Sequence, residues 1–196
     1  MGKQRQLMVG QRTGKYYAGA YLSGNQSLYA GHMSCSVVNQ AAATLIGLNG
    51  STSYTGLAIQ NPTGSGYNLS ISKVCAVSPV IGAAIQSWGL ATNTGTFTPG
   101  ENTGAGLTIA NNFIGAAVTN NVAVASAAAT VVATGQVIVL PLVANQIAAG
   151  NITGVSYDVE DGIILPPGHW LGFINLGGTP TASNFIGSFF WQQLPV

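Results

Sequence analysis

Apolar and polar residues alternate along much of this chain with a period of two, the spacing of a half-buried strand. In residues 68–79, Leu69, Ile71, Cys75 and Val77 share one face with Lys73, while Asn68, Ser70 and Ser72 oppose them. In residues 81–91, Trp88 and Leu90 fall together and Ile81 and Ile85 fall opposite. Residues 152–159 set Thr153, Val155, Tyr157 and Val159 against Ile152, Gly154, Ser156 and Asp158. The last run, residues 185–193, gathers Phe185, Phe189 and Trp191 on one face and Ile186 and Phe190 on the other. A strand that is apolar on both faces is expected at the centre of a sheet or against a neighbouring subunit.

Residues 122–143 carry a mixed signal. The alanines from Ala123 to Ala129 suit a helix, but Val131, Val132, Val137, Ile138 and Val139 are β-branched and favour strand. The expectation is two strands with a turn near Gly135, and Pro141 at a strand end or on an edge strand. Turn-forming clusters recur at residues 48–53, 61–66, 93–106, 149–154, 166–168 and 177–183. Dense punctuation between short strands predicts an all-β sandwich or barrel.

Charge changes this picture most. Asp, Glu, Lys and Arg make up 5% of the chain, the formal net charge is +1, and hydrophobic residues are an ordinary 47%. An average soluble domain is about 25% charged. Copies of such a chain repel one another little, and interface cores are depleted in charge, so much of the surface is expected to be contact surface. A monomer coated in neutral polar groups is the other reading. The few charges are segregated: Lys3, Arg5, Arg12 and Lys15 are four of the five basic residues, and Asp158, Glu160 and Asp161 are three of the four acids. Residues 1–30 are expected to form an extended arm, and residues 31–196 a single sandwich domain. A short basic arm lies on an acidic protein surface or on nucleic acid, or is a solvated terminus.

No window of about 20 residues is apolar enough for a membrane-spanning helix. The best stretch, residues 122–149, is interrupted by Gln136, Pro141 and Asn145, and the aromatic girdles of a membrane barrel are not evident. No secretory signal is expected, since no apolar stretch follows Lys3 and Arg5. Cys35 and Cys75 form one disulfide or remain two separate buried thiols, and the second is expected.

Catalysis lacks raw material. The two histidines, His32 and His169, are far apart in sequence, too few and too unclustered for a cupin-like metal site. His169 follows Pro166-Pro167-Gly168 and is expected at a turn end. Asp158, Glu160 and Asp161 could offer oxygens to Ca²⁺, but their order does not match an EF-hand loop. A solvated strand end, or a docking point for the basic arm of another copy, suits them better. There is no nucleophile elbow and no Walker A loop, and Gly64-Ser65-Gly66 lacks the third glycine of a dinucleotide fingerprint. A non-enzyme with neither metal nor cofactor is expected. Trp88, Trp170 and Trp191 fall within predicted strands, where core packing outranks sugar binding. Tyr16, Tyr17 and Tyr21, just after the basic residues, are candidate interface anchors.

Several stretches resemble a group of tailed-phage virion proteins. They are Arg12-Thr-Gly-Lys-Tyr-Tyr-Ala18, the central Thr55-Gly-Leu-Ala-Ile-Gln-Asn-Pro-Thr-Gly-Ser-Gly-Tyr-Asn-Leu69, Asp161-Gly-Ile-Ile-Leu-Pro-Pro-Gly168 and Gly187-Ser-Phe-Phe-Trp-Gln-Gln-Leu-Pro195. The Pro-Pro-Gly turn before the final strands also resembles trimeric jelly rolls of the tumour-necrosis-factor-like and capsid-decoration kind. The resemblance implies a jelly-roll-like antiparallel β-sandwich and a homotrimer on the outer surface of a phage capsid. There it would cement the head through contacts with the major capsid protein, without direct nucleic-acid or membrane binding. On this reading Lys3, Arg5, Arg12, Lys15, Tyr16, Tyr17, Asp158, Glu160 and Asp161 meet the capsid or a neighbouring subunit. A receptor- or glycan-binding fibre module and a minor capsid or tail-connecting protein are the alternatives.

Overall fold

In this computed structural model the described residues are 34–39, 53–77, 86–94, 97–99, 107–112, 117–118, 121–131, 137–145, 154–176 and 185–196. They form eleven strands and no helix. In chain order these are β1 (Ser34–Val38), β2 (Ser53–Asn61), β3 (Tyr67–Val77), β4 (Gln86–Thr94), β5 (Phe97–Pro99) and β6 (Ala110–Asn111). There follow β7 (Val124–Val131), β8 (Val137–Asn145), β9 (Gly154–Leu165), β10 (His169–Asn175) and β11 (Ile186–Pro195). Two antiparallel sheets result, ordered β6-β1-β11-β3-β9 and β5-β7-β2-β10-β4-β8. Successive strands from β1 to β4, and again from β8 to β11, alternate between the sheets. Leaving aside β5, β6 and β7, the sheets are β1-β11-β3-β9 and β2-β10-β4-β8. That is the interleaved double Greek key of a jelly roll.

The alternation expected for the last strand holds. Phe185, Phe189 and Trp191 have no solvent exposure, and β11 is the middle strand of its sheet, between β1 and β3. Phe173 of β10 reaches across from the other sheet, with ring centroids 4.8 Å from Phe185 and 4.6 Å from Phe189. Trp88 of β4 meets Phe185 edge to face at 5.4 Å and 79°. Four large rings thus fill the middle of the sandwich, and a glycine makes room for them. A Cβ on Gly187 would lie 2.6 Å from Cζ of Phe185 and 2.8 Å from Cε2 of Phe173.

Strict alternation fails in β3. Leu69 and Ile71 are buried as expected, but so are Val74 and Ala76, while Lys73, Cys75 and Val77 turn outward. The register explains the switch. Trp191 pairs with Ile71 and Phe190 with Lys73, so Ser72 is one residue too many. This β-bulge flips the face of everything after it. It also removes the anomaly of Lys73 on an apolar face. The expected grouping of Cys75 and Val77 with Leu69 and Ile71 is therefore corrected.

Residues 122–143 yield two strands, as expected, while the turn expected near Gly135 lies outside the described residues; β7 and β8 do not pair with each other. β7 lies against β2 and β5, and β8 against β4 alone. β8 is the edge of its sheet, where Pro141, which has no N–H to donate, is tolerated. The outer face of this sheet carries a second cluster of Ala58, Ala91, Trp170 and Ile174, all without exposure, against which Val124 and Leu176 pack.

One end of the sandwich is tied together by Asn61. Its side-chain amide donates to the carbonyls of Tyr67 at 2.7 Å and Leu165 at 2.9 Å. Its Oδ1 accepts from the Ser65 hydroxyl at 2.7 Å, and its backbone carbonyl accepts from the Gly168 N–H at 2.8 Å. Gly64, Gly66 and Gly168 have φ of 77°, 73° and 84°, which the turns demand and which side chains resist. The turns expected at residues 61–66 and 166–168 are thus one joined structure.

Candidate functional site

The described residues contain no group of three or more His, Cys, Asp or Glu side chains able to hold a metal. His169 sits at the turn end, its Nδ1 3.3 Å from the Pro167 carbonyl oxygen. His32 lies outside the described residues. Trp88, Trp170 and Trp191 are 1%, 0% and 0% exposed, so stacking on sugars cannot fall to them.

The two cysteines are free and lie on opposite faces of the first sheet. Cys35 is buried against the core, and burial pushes its thiol up to about 11. The neutral thiol is a poor nucleophile. Cys75 is half-buried, not buried as the sequence suggested, and its Sγ lies 3.4 Å from the Ser156 hydroxyl on the outer face. A thiol reagent should therefore modify one cysteine per native chain and two after denaturation. Cys75→Ser should abolish the native labelling, and persistent labelling of that variant would contradict the assignment. Because the unfolded thiol ionises first, Cys35 should also lower stability as the pH rises from about 9 towards 11.

Asp158 lies on the outer face of β9 and meets Lys73 of β3 at 3.4 Å, with side-chain exposures of 70% and 39%. A pair this wet contributes at most about 1 kcal/mol. The sequence suggested a solvated strand end or a docking point for a basic arm at Asp158, and did not suggest Lys73 as its neighbour, because strict alternation placed Lys73 on the apolar face. Glu160 and Asp161 occupy an excursion of β9. Asp158 pairs with Lys73 and Ile163 with Ile71, so residues 159–162 of β9 stand opposite the single residue Ser72. Val159 packs on the core, and Gly162 closes the excursion where a Cβ would lie 2.9 Å from the Val159 carbonyl oxygen. The remaining candidates, Lys3, Arg5, Arg12, Lys15, Tyr16, Tyr17 and Tyr21, lie outside the described residues.

What the alternation did not reveal is an apolar flank. β8 and β9 are the edge strands of their sheets on the same side of the sandwich, joined where the Tyr157 hydroxyl donates to the Leu142 carbonyl at 3.0 Å. Val137, Ile138 and Val139 are 60%, 43% and 38% exposed, and Tyr157 and Ile164 are 41% and 36% exposed. A groove of about 320 Å³ runs between Val139 and the segment from Gly162 to Pro166, with His169 beside it and Leu171 behind. Pro141, two residues after this run, pointed to a strand end or an edge strand, but nothing in the alternation announced the exposure of Val137, Ile138 and Val139.

The outer face of the first sheet is flatter. Val38, Val77, Ile186, Ser188, Gly154 and Ser156 surround a dish of about 380 Å³. Among the described residues no helix is long and apolar enough to cross a membrane. The chain gives no match among protein-family models, curated proteins or solved structures.

Proposed function

We propose that this chain is a non-enzymatic structural subunit of a virion: a decoration or cement protein that trimerises on the outside of a phage head. The observation that carries the reading is the surface. A chain with 5% charged residues, folded as a β-sandwich, exposes large apolar side chains along one flank. A solitary soluble domain gains nothing from such a flank, whereas a subunit of an assembly covers it. The phage and the capsid come from the sequence resemblance. Extra contact area across capsomer boundaries would then resist internal pressure mechanically, a task that needs no titratable groups.

Quantitative mass spectrometry of purified particles tests the assignment. A copy number in proportion to the major capsid protein is expected. A handful of copies per particle, together with glycan binding, would reject decoration in favour of a fibre module.

A further inference from the structure

We draw no further inference here: the strongest candidate, the apolar flank where Val137, Ile138 and Val139 of β8 and Tyr157 and Ile164 of β9 stand exposed beside a groove, carries nothing because nothing in the structure shows what covers it.

Discussion

Phe185→Ala should lower the stability of this protein by about 3–5 kcal/mol, the range for truncating a buried aromatic ring. Phe185 has no exposure and links two rings, Trp88 at 5.4 Å and Phe173 at 4.8 Å. Removing it leaves a cavity bounded by strands of both sheets, whose hydrogen-bonded backbones cannot collapse inward to fill it. Each lost ring pair adds about 0.5–1.5 kcal/mol beyond the buried area. Gly187→Ala should cost about 1–3 kcal/mol through the opposite defect, overpacking. The new methyl would sit 2.6 Å from the edge of Phe185 and 2.8 Å from Phe173. The two substitutions are coupled because they occupy the same space. In the Phe185→Ala background the methyl partly fills the cavity and Phe173 has room to move aside, so the Gly187→Ala penalty should shrink. Urea unfolding of the four proteins measures the coupling. An undiminished penalty in the double variant would contradict the packing described.

The second large effect concerns the turn end. Asn61→Ala should cost about 2–3 kcal/mol, because buried carbonyls left without donors bear the full desolvation penalty. Asn61 is itself 0% exposed, and its amide supplies the Tyr67 and Leu165 carbonyls from a single side chain. The Ser65 hydroxyl still reaches the Tyr67 carbonyl at 3.1 Å, which limits the loss there and leaves Leu165 the more exposed to it. The C-terminus should loosen as well, since the Val196 N–H donates to the Gly66 carbonyl in the same turn. Asn61→Asp is the sharper probe. A carboxylate cannot donate to either carbonyl, but a protonated carboxyl can supply one bond. Burial holds that carboxyl above its ordinary value near 3.9, so the folded state binds the proton more tightly than the unfolded state. The variant should therefore be least destabilised below about pH 4 and lose stability as the pH rises. Thermal melts of Asn61→Asp and Asn61→Ala across pH 4–8 separate the two cases, and a flat difference would contradict the hydrogen bonding assigned to Asn61.

These sites differ in how far the sequence announced them. The aromatic face of β11 was legible because Phe185, Phe189 and Trp191 alternate without interruption, and a two-residue period maps directly onto one face of an unbroken strand. The turns around Asn61 and Gly168 were legible from Gly, Pro, Asn and Ser, whose conformational preferences are local. Their union through the Asn61 amide was not, since its two acceptors lie 6 and 104 residues away. Of the contact residues expected from the sequence, Asp158 is placed on the outer face beside Lys73, and Glu160 and Asp161 are placed on the β9 excursion.

By itself, then, the amino-acid order determined that this protein is built of short strands, that its last strand is apolar on both faces, and that charged side chains are scarce. Each of those properties depends on residue type and on spacing within a few positions. Tertiary structure decided the rest. The bulge at Ser72 exists only because β11 and β9 fix the register on either side of β3, and that one extra residue sends Lys73 outward and Val74 inward. Tertiary structure likewise decided between the strand end and the edge strand that Pro141 allowed, making β8 an edge and leaving Val137, Ile138 and Val139 at the surface. A period of two says which side chains travel together, and pairing with distant strands says which way they face and whether anything covers them.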